Sequence, residues 1–284
     1  DFIIKQLKQA IPLLSSEKNN GQINAYAAQA LLARVYLYRE QNKEAFETAR
    51  DLITELEKNR QYYLAPRNNY AAQCALNNKS VSESLFEIAF SASDNPGRDG
   101  LAYSMHWWGY ADIVATKDFV DLMAEDPDDI RCQLLDQVYN GQEIEQNIRY
   151  WLMKYPGTSY GVPSVENNYM VFRLSEVYLI AAEAGLKAGG EYRSPALSYL
   201  NDIVSRANPD KSVSDAEFTL DRVLKERRKE LVGEGHRYFD ALRNNQTIIR
   251  KGGWHLDGIP EEINWDYTKC ILPIPKEQFQ MNPN

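Results

Sequence analysis

Cysteine and histidine are scarce, three of each in 284 residues. Cys74, Cys132 and Cys270 lie far apart, with no CxxC pair and no Cys/His spacing of the kind zinc requires. They read as buried free thiols, with a single disulfide as the alternative. His106, His236 and His255 do not stand at the spacing of a metalloprotease helix, so no metal site is expected. P-loop and GxGxxG motifs are absent, and nothing calls for a nucleotide or any other cofactor. No apolar run approaches the roughly 20 residues needed to span a bilayer. Positive charge is also short: 32 basic residues face 40 acidic ones, for a net charge of -8, the wrong sign for a protein that grips nucleic acid. The N-terminus lacks the basic, apolar, small-residue progression of a signal peptide. Asp1 instead opens a helical pattern, with Ile4, Leu7, Ile11 and Leu14 on one side, as expected of a piece of a longer chain.

What is present is apolar residues at helical spacing, in a composition (44% hydrophobic, 25% charged) that suits a globular chain with a sizeable core. The first helix loosens at Pro12, which removes a backbone donor. Asn24 is the expected N-cap of a helix to about residue 39, with Tyr26, Ala30, Ala33 and Leu37 on one stripe. Gln41 and Asn42 turn the chain into a partner helix with Ala45, Ala49 and Leu52 inward. Two helices joined by a tight turn, alanine facing alanine, look like a tetratricopeptide-type hairpin, because small residues let the axes approach closely. Tyr36 and Phe46 are candidates to fill grooves against neighbouring hairpins.

The pattern returns over residues 172–188, with Leu174, Val177, Ala181, Ala184 and Ala188 on a stripe that Gly189 and Gly190 break. Ser194 is then the expected cap of a second helix, with Pro195 at its first position and Ala196, Leu200 and Ile203 inward. Ala33, Ala45 and Ala49 match Ala184, Ala196 and Leu200 at one constant offset. Copies so far apart are not a sequence-contiguous solenoid; they predict a helical scaffold with a long excursion between hairpins. Thr219 caps a further helix that ends at Gly233, and a short helix follows at about 238–244. Ser84 to Phe90 reads as a strand, with Arg149–Met153 and Lys269–Leu272 as weaker candidates. The expected organisation is residues 1–57 as hairpins, 58–168 as a loop-rich excursion with short strands and aromatic binding loops, and 169–284 as a C-terminal helical region.

Several runs resemble signatures of the SusD/RagB family. Phe172 to Ala184 (FRLSEVYLIAAEA) is similar to its signature helix. So are Leu224 to Leu231 (LKERRKEL) and Gly233 to Asp240 (GEGHRYFD), while Ile271 to Pro275 with Asn282 to Asn284 is similar to its C-terminal ending. Ala30 to Tyr38 resembles its repeat helix and Leu85 to Phe90 its mid-chain strand. The resemblance implies a mainly α, SusD-like α-α superhelix. It also implies a lipid-anchored, cell-surface protein of the outer membrane that is not an enzyme. Such a protein binds an oligosaccharide, or in some relatives a peptide, and hands it to a SusC-like TonB-dependent transporter. Family members are usually longer and carry an acylated cysteine near the N-terminus. No cysteine stands there in this chain, which looks like the later part of such a protein.

Ligand contacts vary across the family, so candidates come from the residues themselves. The densest aromatic run, Gly100 to Tyr110, holds Tyr103, Trp107, Trp108 and Tyr110. Rings cover the flat C–H face of a sugar and leave its hydroxyl edges free. The alternative is that they pack under the loop as a satellite core. Of the two adjacent tryptophans, one is expected in the core and the other exposed. Tyr160, Asn167, Asn168 and Trp254 form a second set suited to hydroxyl recognition, although loop asparagines more often shape turns.

The charged run Glu226, Arg227, Arg228, Glu230, Glu234, His236 and Arg237 invites an acid–base or metal reading, but its helical spacing favours an ion-paired network. Gly157 to Gly161 fits GxSxG around Ser159, yet Pro156 and Pro163 bracket it and no helix follows, so a loop is expected. Asp126 to Asp129 reads as a turn capping a helix. No catalytic residue is assigned. A helical hydrolase and a scaffold that binds only protein stay open beside the binding protein.

Overall fold

The computed structural model describes residues 1–18, 21–74, 82–139, 148–155, 165–250, 260–271 and 274–281. The chain opens with α1 (Phe2–Ala10), α2 (Ala25–Tyr38) and α3 (Asn42–Asn59). It then leaves the helices for β1 (Ser84–Ile88), α4 (Leu101–Met105), α5 (Lys117–Ala124), β2 (Leu135–Tyr139) and β3 (Ile148–Leu152). It returns through β4 (Tyr169–Arg173) into α6 (Leu174–Ala188), α7 (Arg193–Ala207), α8 (Leu220–Glu230) and α9 (His236–Arg243). Last come β5 (Ile248–Ile249), β6 (Glu262–Ile263) and α10 (Lys276–Met281). The strands pair only in antiparallel twos: β1 with β4, β2 with β3, β5 with β6. None of the described helices is long and apolar enough to cross a membrane.

Two helical hairpins make the frame. Asn24 caps α2 by accepting from the Ala27 N–H at 2.9 Å, and its amide donates to the Tyr62 hydroxyl at 3.0 Å. Ala33, Ala45, Ala49, Ala184, Ala196 and Leu200, the matched set, are all fully buried. α2 packs on α3, α3 on α6 and α6 on α7, so hairpins remote in sequence stack directly in space. The α3–α6–α7 contact depends on Gly185. A Cβ there would lie 2.5 Å from the Ala196 Cβ and 2.7 Å from the Phe46 ring. Phe46 uses the space, meeting Tyr192 edge-on at 5.3 Å and Tyr199 at 6.2 Å. The large ring thus reaches into the neighbouring hairpin, as its position suggested. α1 lies against α2 and turns Ile4 and Leu7 toward the main core, followed by Ile11 in the 3-10 turn after it.

The excursion hangs from one two-stranded ribbon. β1 leaves the frame and β4 comes back beside it, pairing Ser84 with Arg173 and Ile88 with Tyr169. Two smaller apolar clusters stabilise it, one around Tyr70, Met105, Leu134 and Tyr155, the other around Phe119, Leu122 and Met123. Asp129 caps the 3-10 turn after it by accepting from the Arg131 N–H at 3.0 Å, as a turn-forming aspartate should.

Three local expectations are corrected. The helix expected from residue 172 starts at Leu174, because Tyr169–Arg173 is drawn into strand pairing with β1. Ser194 does not cap α7. A 3-10 turn at Gly190–Tyr192 leads into a helix that begins at Arg193, and Pro195 still falls in the first turn, where the missing donor costs nothing. Within the strand expected at 269–272, the described residues form a 3-10 turn, Thr268–Cys270, closed by Cys270 N–H donating to the Tyr267 carbonyl at 2.8 Å, and Leu272 lies outside the described residues. Ile271 points to solvent, so no buried face favours a strand there. Cys132 and Cys270 are free thiols.

Candidate functional site

The charged run lies in a buried network that spans the frame and the excursion. Glu230 is fully buried and accepts from Arg173 at 2.8 Å, Arg206 at 2.6 Å and Arg131 at 3.2 Å. Glu83, also fully buried, takes Arg173 at 2.9 Å and Arg206 at 2.6 Å. Glu234 pairs with Arg173 at 2.9 Å and with Lys154. Arg227 binds Asp240 at 2.9 Å, and Arg34 binds Glu176 at 2.5 Å. Although burial alone would raise the Glu230, Glu234 and Asp240 carboxyls, the surrounding cations win: Glu230 is held well below the usual range, and Glu234 and Asp240 at about 2. A general acid must carry a proton near neutral pH, so Glu230 and Glu234 do not form a glycosidase pair. Among the described residues no group of three or more His, Cys, Asp or Glu is placed to hold a metal.

The aromatic run forms a shaped loop. α4 is anchored at its start, where the Leu101 N–H donates to the Tyr169 hydroxyl of β4 at 2.9 Å. The chain then turns back on itself: Tyr110 N–H donates to the Tyr103 carbonyl at 2.7 Å and Ile113 N–H to the Ser104 carbonyl at 2.9 Å. Gly109 is required at this crossing, since a Cβ would lie 2.8 Å from the Tyr103 Cα. His106 is fully buried beneath, its Nε2 against the Tyr155 carbonyl. A carbonyl only accepts, so Nε2 carries the proton, and burial pushes the imidazole pKa down and keeps the ring neutral.

On that fixed ring stands a platform. Trp108, half-buried, stacks on His106 with centroids 4.6 Å apart and planes 9° apart. Trp107 meets Trp108 edge-on at 5.3 Å and 76° and is 39% exposed. Its indole N–H donates to an Asp136 carboxylate oxygen at 3.3 Å. Tyr110 is 52% exposed and Tyr103 half-buried, their rings 6.0 Å apart. Trp107 is the exposed tryptophan, while Trp108 is half-buried rather than in the core. Asp136 is a residue that sequence reading missed. Nothing connects it to Trp107 until the β2–β3 hairpin brings it there.

The second expected set is only partly in view. Tyr160 and Trp254 lie outside the described residues, as does Ser159. Asn167 is buried. Asn168 bridges the ends of the β1–β4 ribbon, donating to Glu87 at 2.8 Å and accepting from the Phe90 N–H at 2.9 Å. It stands next to Tyr169, the residue that anchors α4.

A groove of about 330 Å³ also escaped sequence reading. Its walls come from Met105 and Ile113–Thr116, which bracket the aromatic loop, and from α9 and β5. Arg237, grouped by its spacing with the ion-paired residues, lines this groove and has no carboxylate within ion-pairing distance among the described residues.

The SusD family profile matches residues 136–284, more than half of the chain. The chain belongs to the SusD family. A SusD superfamily protein of Bacteroides vulgatus is 50% identical and superposes with a TM-score of 0.94, covering 100% of this chain and 63% of that one. A candidate sugar-binding protein of the same organism is 37% identical at a TM-score of 0.86, covering 99% of this chain and 62% of the other. The curated SusD-like protein P25 of Formosa agariphila is 32% identical over 122 residues, 41% of this chain and 23% of its own length. The chain therefore spans less than two thirds of each of these SusD relatives.

Proposed function

We propose that this SusD-family chain captures an oligosaccharide at the cell surface without transforming it, and passes it to a SusC-like TonB-dependent transporter in the outer membrane. The reading rests above all on Trp107, an exposed indole whose edge is fixed by Asp136 and whose base is fixed by Trp108 and His106. A ring held in place loses little conformational freedom on binding, so contact with a sugar face adds to affinity rather than being offset by ordering. Tyr110 and Tyr103 extend the platform, and Trp108 forms its second wall. Tyr160, Asn168 and Trp254 belong to the proposed contact set as loop residues suited to hydroxyl recognition. The Bacteroides vulgatus relative described as a candidate sugar binder supports a glycan as the ligand class.

The absence of catalysis is supported by the ion-paired state of Glu230 and Glu234. Affinity electrophoresis against a polysaccharide panel tests the proposal. Retardation by one glycan, lost in Trp107→Ala without loss of fold, is the expected outcome. No retardation by any glycan, together with binding of a peptide, would replace the ligand class.

A further inference from the structure

The groove beside the aromatic loop differs from the platform in its charge. Its walls are mainly apolar, including Ile113, Phe119, Leu231 and Ile249. Four arginines line it: Arg227, Arg228, Arg237 and Arg250. Two are neutralised, Arg227 by Asp240 at 2.9 Å and Arg228 by Asp118 at 2.6 Å. Arg237 donates only to the neutral Gln246 amide oxygen at 2.8 Å, and its Nε is buried with no hydrogen-bond partner among the described residues. Arg250 donates to the Pro260 carbonyl at 3.1 Å and likewise has no carboxylate within ion-pairing distance among the described residues. In a chain of net charge -8 this is a local surplus of positive charge among the described residues. Burial and the neighbouring Arg228 hold the Arg237 pKa below its ordinary value, a cost that an incoming anion would relieve.

We infer that this groove takes a carboxylate-bearing sugar unit, a uronate, of the glycan that the Trp107 platform holds; the inference rests on the glycan reading above. The apolar walls suit the C–H face of a pyranose ring, and the Arg237 fork suits a planar carboxylate. The volume, about 330 Å³, lies at the small end of ligand sites, fitting for one or two ring units rather than a folded partner. Met105 and Ile113 place the groove where a chain crossing the aromatic loop would continue.

Titration calorimetry of the whole chain with trigalacturonate and with its methyl ester tests this, on the unaltered protein, Arg237→Gln, Arg237→Lys and Arg250→Gln. The acid should bind on the order of tenfold more tightly than the ester, since charge-assisted hydrogen bonds are about twice as strong as neutral ones. Arg237→Gln should erase that difference, Arg237→Lys retain part of it, and Arg250→Gln reduce it. Added salt should weaken the acid and spare the ester. Equal affinity for acid and ester, with a neutral glycan still retarded through Trp107, would overturn the groove assignment and leave glycan capture standing. Failure of every glycan, acidic or neutral, would overturn both. Binding of an acidic peptide through Arg237 in place of the acid sugar would also overturn the uronate.

Discussion

In the stacked hairpins α2–α3 and α6–α7, helices meet through Ala33, Ala45, Ala49, Ala184, Gly185 and Ala196, a mainly apolar contact beside which Arg34 of α2 pairs with Glu176 of α6 at 2.5 Å. In the excursion between them the apolar clusters are small, and charge fastens it to the frame. Arg206 of α7 holds Glu83 at 2.6 Å and Arg67 donates to the Ala207 carbonyl, while Arg131 and Lys154 tie the excursion to Glu226, Glu230 and Glu234 on and after α8. The difference follows from geometry. A helix presents a repeating face and can bury it continuously, whereas irregular chain has no such face and is held at a few points. Directional, charge-assisted hydrogen bonds define such points better than area does. Ion pairs contribute less net stability than their number suggests, because each charge has been taken out of water. What they contribute is a defined place for the loops that carry the platform.

The sharpest way to break the comparison is at Arg173, where frame and excursion share one guanidinium. Arg173→Ala would take one partner from each of Glu83, Glu230 and Glu234, leaving Arg206 on Glu83, Arg206 and Arg131 on Glu230, and Lys154 on Glu234. Leaving a buried charge unpaired costs about 3–5 kcal/mol, and here the remaining cations keep each carboxylate paired, so urea unfolding should show a loss of up to about that size. A loss under about 1 kcal/mol would mean that water reaches the network.

Acid acts on the same network without mutation. Carboxyls whose folded pKa is depressed contribute stability that is complete above their unfolded values and is lost as pH falls through the folded ones. Glu234, held at about 2 against an ordinary value of 4.5, accounts for about 3 kcal/mol of this. Melting temperature should begin to fall below about pH 6.5, where the unfolded chain takes protons that buried His106 and His236 resist, and fall more steeply from about pH 4.5 toward 2. A flat profile across that window would deny the network its role.

The frame is tested at Gly185. Alanine is the better helix former by about 1 kcal/mol, yet its Cβ would lie 2.5 Å from the Ala196 Cβ and 2.7 Å from the Phe46 ring, both buried. Overpacking typically costs about 1–3 kcal/mol, so Gly185→Ala should lower the melting temperature despite its propensity. A rise would mean that α3 and α7 move apart freely.

The frame was legible in the sequence because alanine periodicity and the caps Asn24 and Thr219 are local signals. β4 was not, since Tyr169–Arg173 is an apolar run that continues smoothly into the stripe of α6, and only pairing with β1 separates the two. The site was legible as a density of rings around residues 103–110. Which ring faces out depends on His106 lying under the Tyr155 carbonyl, a contact 49 residues apart in sequence. Arg237 shows the opposite error. It sits among paired charges in sequence, but where it lines the groove no carboxylate lies within ion-pairing distance of it among the described residues.

The smallest expected change in stability is also the most informative for function. Trp107 is 39% exposed and holds Asp136 and the edge of Trp108, so Trp107→Ala should lower unfolding free energy by about 1 kcal/mol. Trp108, stacked on the buried His106, should cost more on truncation, through lost ring contact and a gap beneath the loop. If the platform is a ligand surface, the order reverses for glycan affinity, with Trp107→Ala losing at least about tenfold on the scale of an aromatic hot spot. Urea curves and affinity electrophoresis on the same two variants separate these axes. A Trp107→Ala protein that keeps both its stability and its glycan retardation would remove Trp107 from the site and shift the search to the groove.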